Sequence, residues 1–481
     1  MEVVFAFLLS NRVLILGLGY VGLTTGLGLA SRGIRVTGVE IDERKLAEIK
    51  NGRVPFHEPQ ASQLLRELLD SGFFEARSSV VPADISFITV GTPSRKDGSM
   101  DLIYVESAAK AMGAFLRKHG SYHLIVVKST VLPGTTEGVI KPIIESESGK
   151  KVGRDFGLAM NPEFLREGSA LRDMYEPDRL VIGEHDNRSG DILASLYGEF
   201  YASNSPPVLR TNIVNAEFIK YASNAFLALK ISYINTIANI AQRVQGADVE
   251  TIARGIGLDQ RISGKFLNAG LGYGGSCFPK DVRALIAFSK SVGYDPLLLE
   301  GTERINLAQA QSAIDLASQL LGDNLSGRVV TMLGLSFKPG TDDIREAVSA
   351  RMLRSLLERG ATVRAYDPAA AGNMSRVFPE DERMIYAISA LDALKGSDCC
   401  FLVTEWDEFK KLEPDVFLGL MRTPVLIDGR RLYDAEAYSK KIRFAAIGLG
   451  PSETTAELPS KEKVVVDGDK QAGLAQSPWQ I

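Results

Sequence analysis

Arg12-Val13-Leu14-Ile15-Leu16-Gly17-Leu18-Gly19-Tyr20-Val21-Gly22 is the stretch whose reading decides the fold. Residues 12–16 form a continuous apolar run that ends at glycine, the pattern of a strand buried on both faces. A small-residue helix follows to about Arg32, then a second strand over 35–40, which makes a βαβ opening. Gly17, Gly19 and Gly22 have the dinucleotide spacing: a tight turn, room for a pyrophosphate against backbone, and close packing of helix on strand. The phosphates would lie at the helix N-terminus, with Tyr20 and Val21 in the same loop. Glu40 ends the second strand about twenty residues later, where a carboxylate accepts hydrogen bonds from ribose hydroxyls. Its charge opposes a 2′-phosphate, which favours NAD over NADP. Asp42 is a rival for that role, but lies past the strand end.

Outward from this unit, strand-like runs recur at 85–90, 124–128, 156–160 and 180–182, separated by helical patterns. That alternation predicts a parallel, doubly wound sheet. Residues 213–244 contain no proline and carry one helical pattern with apolar residues on more than one face. At 1.5 Å per residue such a helix spans roughly 45–50 Å, enough to join two domains and offer a face to a second subunit. A second strand–glycine–helix pattern starts at 328–338, with further strands at 362–366, 399–403 and 425–427. The expected class is α/β, two Rossmann-like doubly wound domains joined by a long central helix. The expected units are a cofactor domain over 1–210, a central helical region over 211–310, a second Rossmann-like domain over 311–450 and a disordered polar tail over 451–481.

The chain has 481 residues, too many for one core, with 45% apolar and 24% charged residues. A net charge of −4 argues against a nucleic-acid binder, so an anionic ligand must be met by a local cluster of Arg and Lys. No run approaches the ~18 apolar residues of a membrane span. The short apolar opening at 3–9 lacks a preceding basic residue and reads as an N-terminal extension, not a signal peptide. Three cysteines cannot all pair. Cys399 and Cys400 sit side by side in an apolar run, facing opposite sides of a strand as core residues. With neither a disulfide framework nor metal-ligand spacing, a reducing, cytoplasmic setting is expected.

Cys277 is different, because it lies in Gly270-Leu271-Gly272-Tyr273-Gly274-Gly275-Ser276-Cys277-Phe278-Pro279-Lys280-Asp281. Those glycines read as a flexible polar loop that lets backbone approach a ligand, and Cys277 as a nucleophile with Lys280 and Asp281 just after it. At a strand exit, Asn161-Pro162-Glu163-Phe164-Leu165-Arg166-Glu167-Gly168 sets two carboxylates four residues apart, either at a ligand-binding sheet edge or at an ordinary helix start. Lys220 and Asn224 share one face of the central helix.

These residues, together with Lys128-Ser129-Thr130 and Phe337-Lys338, occur in the order seen in the nucleotide-sugar 6-dehydrogenases, so the chain resembles the UDP-glucose/GDP-mannose dehydrogenase family over about 11–450. Asp259-Gln260-Arg261-Ile262, Lys265-Phe266-Leu267 and Ser276-Cys277-Phe278 are more similar to the UDP-glucose branch than to the UDP-N-acetylmannosamine branch, with GDP-mannose enzymes an alternative. The resemblance implies two successive NAD-dependent oxidations at C6 of a nucleotide sugar. Cys277 would form a thiohemiacetal and then a thioester. Lys220 would handle the hydroxyl proton and stabilise the oxyanion, Glu163 would be the hydrolytic base and Asp281 would hold water, with Asn224 and Thr130 beside them.

The same comparison implies cofactor contacts at Lys45, Thr92, Pro93, Ser129, Thr130, Glu167 and Arg345. It places the sugar nucleotide against Glu163, Phe164, Leu165, Lys220, Asn224, Phe266, Leu267, Tyr273, Gly274, Phe337, Lys338 and Arg430. It further implies a homodimer or higher oligomer in which Arg261 reaches the neighbouring subunit's site. Glu40 stands where the family more often has Asp, and Arg166 replaces a smaller residue, which bears on the surroundings of Glu163.

Overall fold

The computed structural model describes residues 12–451; the opening apolar segment and the polar tail lie outside the described residues. The first sheet contains β1 (Arg12–Leu16), β2 (Arg35–Val39), β3 (Phe74–Arg77), β4 (Ile85–Ile88), β5 (Leu124–Val127), β6 (Gly157–Met160), β7 (Leu180–Glu184) and β8 (Val208–Asn212). Their order is β3-β2-β1-β4-β5-β6-β7-β8. In β1, Leu14 pairs with Thr37 on one side and Ile15 with Phe87 on the other, all in parallel register. The chain therefore winds away from β1 in both directions and leaves a crevice at the β1/β4 switch point, where the glycine turn sits.

The sheet is not parallel throughout, contrary to the sequence expectation. β7 runs antiparallel to β6, with Met160 opposite Gly183, and β8 follows β7. The chain leaves β6 at the carboxyl edge and enters β7 from that same edge, so no return crossover is needed. The segment between them carries Glu163 and Glu167 as loop, not as the start of a helix.

The second sheet contains β9 (Val329–Leu333), β10 (Thr362–Tyr366), β11 (Met384–Tyr386), β12 (Cys399–Leu402), β13 (Val425–Asp428) and β14 (Arg443–Ala446), ordered β11-β10-β9-β12-β13-β14. This repeats the winding of the first six strands with every pair parallel. Cys399 and Cys400 belong to cores on opposite faces of this sheet, as strand alternation requires.

The helix α1 (Tyr20–Ser31) connects β1 to β2, and α2 (Ile213–Ala241), α3 (Phe278–Ser291) and α4 (Leu297–Leu321) follow between the two sheets in chain order. The side chain of Asn212 caps α2 by accepting from the Asn215 amide at 2.8 Å. The helix ends at Ala241, three residues short of the expected end, and its 29 residues span about 44 Å. One side of α2 packs on α3, α4 and β7, and buries Lys220 and Asn224. On the other, Phe226, Tyr233 and Ile240 recur at seven-residue spacing and are 61%, 51% and 56% exposed.

Candidate active site

Each fingerprint glycine has its own physical reason. Gly17 has φ +93°, and its amide donates to the Val39 carbonyl at 2.8 Å, closing the turn onto β2. A Cβ on Gly22 would lie 1.9 Å from the Gly17 carbonyl oxygen, so α1 reaches β1 only without a side chain there. A Cβ on Gly19 would meet nothing within 4 Å, which leaves open space at the amino end of α1 for a phosphate. Glu40 is buried at the end of β2 and accepts from the amides of Leu18 (3.1 Å), Ile41 (2.9 Å) and Asp42 (3.0 Å). The rival Asp42 is instead a helix cap, accepting from the amides of Arg44 and half-buried Lys45. This cradle fits NAD.

The ends of β4 and β5 complete the cofactor side. Thr92 Oγ1 donates to the Thr130 carbonyl at 3.0 Å, Ser129 Oγ to the Val90 carbonyl at 2.7 Å, and the Pro93 carbonyl accepts from Asp101 at 2.8 Å. Val21 is half-buried in the first turn of α1. Tyr20 turns its hydroxyl to Glu58, and the Gly168 amide donates to both, at 2.9 Å each. Glu58, which the sequence did not single out, thereby ties the fingerprint to the loop carrying Glu167.

Three elements bring the chemistry together: the loop after β6, the middle of α2 and the amino end of α3. Lys220 Nζ donates to Glu163 Oε1 at 2.7 Å and to the Glu163 carbonyl at 2.8 Å, while Glu163 Oε2 accepts from the Leu165 amide at 2.7 Å. Burial opposes both charges. Lys220 with its neighbouring donors nonetheless holds Glu163 below the usual carboxylate value, and Glu163, Cys277 and Asp281 hold Lys220 above the usual lysine value. One helical turn on, Asn224 Nδ2 donates to Asp281 Oδ2 at 2.7 Å, and Lys280 pairs with Asp281 Oδ1 at 2.6 Å. Arg166 points away, to Asp173 at 3.0 Å, and so does not disturb Glu163.

Cys277 is the N-cap of α3, where unpaired amides favour an anion. Burial and then Glu163 push its thiol up, and Lys220 works against them. Ser276 Oγ lies 3.5 Å from Cys277 Sγ and donates to Glu167 Oε1 at 2.9 Å. Burial and Asp343 raise Glu167 to about 7, against Arg345 at 3.2 Å and Ser276.

The loop before Cys277 is buried and tied to other elements rather than open, which corrects the sequence reading. Residues 269–275 are buried. Asn306 clasps Tyr273 by its amide at 2.7 Å and its carbonyl at 3.1 Å, and Gly275 donates to the Arg345 carbonyl at 2.9 Å. The glycines admit protein rather than ligand: a Cβ on Gly272 would sit 2.4 Å from Asn306 Oδ1, one on Gly274 2.5 Å from the Glu346 carbonyl, and one on Gly275 2.8 Å from the Phe337 ring.

Residues expected on the sugar-nucleotide side divide. Lys338 donates to the Glu167 carbonyl, and Arg345, expected on the cofactor side, pairs with Glu167 at 3.2 Å, so both reach the first domain's loop from the second. Arg430 holds the glycine loop through the Gly272 carbonyl at 3.2 Å and bonds the Val403 carbonyl at 2.7 Å. The Phe164 ring carries the Arg179 guanidinium at 3.9 Å, and Leu165 is half-buried against the first domain's core. Phe266 is 37% exposed and in the left-handed region at φ +65°. Leu267, by contrast, is buried at 3% exposure and packs into the second domain's core. Arg261 is not brought to this chain's own site; its side chain is 89% exposed and pairs with Asp259.

Lys128 was legible only as part of a motif, yet it is buried with its Nζ 2.8 Å from Asn161 Oδ1. A lysine closing an apolar strand at the carboxyl edge of a sheet was the available signal. Among the described residues no group of His, Cys, Asp and Glu is arranged to hold a metal, and no helix is long and apolar enough to cross a membrane.

Three family models of the UDP-glucose/GDP-mannose dehydrogenases match in chain order: the NAD binding domain over 11–201, the central domain over 214–308 and the UDP binding domain over 331–435. A UDP-glucose 6-dehydrogenase of Haloferax volcanii is 43% identical over 421 residues, covering 87% of this chain and 96% of that protein. One from Bacillus subtilis is 42% identical over 430 residues, covering 89% and 90%. Among solved structures, a UDP-glucose dehydrogenase from Pyrobaculum islandicum superposes with a TM-score of 0.84 at 38% identity, covering 91% of this chain and 98% of that one. With NAD-binding, central and UDP-binding segments all matched in order on a fold that fits NAD, the chain belongs to the UDP-glucose/GDP-mannose dehydrogenase family.

Proposed function

We propose that this chain is an NAD-dependent oxidoreductase that converts the C6 hydroxyl of UDP-glucose to a carboxylate in two successive oxidations. The observation that carries the reading is the convergence of one thiol, Cys277, with the Lys220–Glu163 and Asn224–Asp281 pairs at a helix N-terminus. Relatives at about 40% identity over most of their length, named UDP-glucose 6-dehydrogenases, support the choice of sugar. NAD, when bound, takes up the hydride in each oxidation.

The chain's own groups divide the remaining work. Lys220, kept charged by its partners, stabilises the developing C6 oxyanion, and the hydroxyl proton leaves toward water held by Asp281. Cys277 adds to the aldehyde carbon, which restores a tetrahedral carbon bearing the second hydride. Loss of that hydride, together with the hydroxyl proton of the thiohemiacetal, leaves a thioester. Glu163 takes a proton from the attacking water, the C–S bond breaks, and Cys277 is regenerated. Lys338, Arg345 and Arg430 supply the charge that meets the diphosphate side of the ligands. Thr130, Phe266, Tyr273, Gly274 and Phe337 shape the walls.

The exposed Phe226, Tyr233 and Ile240 stripe on α2 is the proposed homodimer face, and Arg261, directed outward, the proposed contribution to a partner's site. Three unpaired cysteines suit a cytoplasmic enzyme. Steady-state assays with UDP-glucose, UDP-galactose, UDP-N-acetylmannosamine and GDP-mannose test the substrate: UDP-glucose should give the largest kcat/KM, and preference for any other overturns this assignment.

A further inference from the structure

A cavity of about 80 Å³ lies between the 162–166 loop, the 173–180 segment and the helix Asn187–Tyr201. Glu163 is part of its wall, and Cys277, Lys220, Asn224 and Asp281 are not, so it reaches Glu163 from a side the thiol does not line. Its inner end is polar and enclosed: Lys128, Glu163 and Tyr197 are 5%, 6% and 2% exposed. Its outer end reaches Glu176 and Asp178, which are exposed.

A water needs about 10–15 Å³ and two to four polar partners, so this volume holds several waters and its inner end can anchor them. The Lys128 ammonium has three donors and gives one, to Asn161 Oδ1 at 2.8 Å. The Tyr197 hydroxyl donates to the same Asn161 oxygen at 2.6 Å, which leaves its own oxygen to accept. Burial pulls Lys128 down to about 8, against Glu163 and aided by Lys220, which eases loss of a proton from its ammonium.

The thioester step needs one water per turnover, at a moment when cofactor and sugar nucleotide fill the cleft in front of Cys277. We propose that this cavity is the path for that water and its proton: water reaches Glu163 through it, and the proton taken up by Glu163 leaves by way of Lys128 to the rim. The new C–O bond forms from this water, the C–S bond breaks to give the Cys277 thiolate, and no oxidant or reductant is consumed. The proposal rests on the thioester reading given above.

The test is a single-turnover experiment on two variants, Pro177→Trp, which fills the outer end without changing a charge, and Lys128→Met, which removes the inner ammonium but keeps its stem. NADH formation is followed by absorbance, and the acyl-enzyme on Cys277 by quenching and mass spectrometry. Both variants should release two NADH per site at the wild-type rate, while the thioester decays about tenfold more slowly. Wild-type decay in both variants, or slowing of the first hydride transfer in Pro177→Trp by as much as the decay, would overturn the path. Absence of any adduct in the wild-type enzyme would instead defeat the thioester reading.

Discussion

The Lys220 ammonium meets the Glu163 carboxylate at 2.7 Å with the two side chains only 4% and 6% exposed. Neither charge has water to fall back on. Removing one partner strands the other in a low-dielectric site, a change that costs about 3–5 kcal/mol when a buried pair is broken. Burial pushes the nearby Cys277 thiol up, and the pair acts on it too: Glu163 raises it and Lys220 lowers it.

Lys220→Met should therefore push the Cys277 thiol further up, because the lowering charge is lost while the raising carboxylate stays. The pH dependence of Cys277 alkylation by iodoacetamide in cofactor-free enzyme reads this directly. The midpoint should move to higher pH than in wild type. A midpoint that stays put or falls would mean that Lys220 does not act on the thiol.

Glu163→Gln should slow thioester hydrolysis more than either hydride transfer, because an amide keeps the shape but takes no proton from water. Quenched reactions should show an acyl adduct on Cys277. Glu167→Gln, made in parallel, separates the two loop carboxylates: Glu167 is hydrogen-bonded to Ser276 rather than to Lys220. Greater adduct accumulation in Glu167→Gln than in Glu163→Gln would reassign the base.

Glu40 should set the cofactor choice. Its buried charge receives three backbone amides and would oppose a 2′-phosphate. NAD should exceed NADP in kcat/KM by about 100-fold, equivalent to roughly 2.7 kcal/mol. Comparable values for the two cofactors would remove Glu40 from this role.

Arg261→Ala should weaken sugar-nucleotide binding and leave NAD affinity nearly unchanged if the guanidinium serves a neighbour. Complementation makes the test sharper. An exchanged equimolar mixture of Arg261→Ala with Cys277→Ser should regain about a quarter of wild-type sites, since half the dimers are hybrids with one intact site. Activity no higher than the average of the parents, with exchange confirmed, would mean that each subunit uses its own Arg261 or none.

Much of this was legible because the inner strands are buried on both faces and therefore read as largely apolar runs. β1, β4, β5, β9 and β12 all showed in that way. The edge strands did not: β3 reads Phe-Glu-Ala-Arg with alternating burial, and β8 is exposed along most of its length. The reversal of β7 depends on where the 161–179 segment lies in space, which composition does not encode. The fingerprint was readable because each glycine answers a local steric demand, whereas the glycines before Cys277 answer demands made by Asn306, Glu346 and Phe337, distant in sequence. The same limit hid Glu58 and the place of Lys128, whose meaning comes from partners in other elements.

The most direct measurement is the NADH formed per UDP-glucose consumed, with the product identified, in wild type and Cys277→Ser. The wild-type enzyme should form two NADH and one UDP-glucuronate per substrate. Cys277→Ser should lose completed turnover with NAD binding retained, because a serine alkoxide is far harder to form than a thiolate. One NADH per substrate in wild type, or UDP-glucuronate released by Cys277→Ser at the wild-type rate, would contradict covalent four-electron oxidation at Cys277.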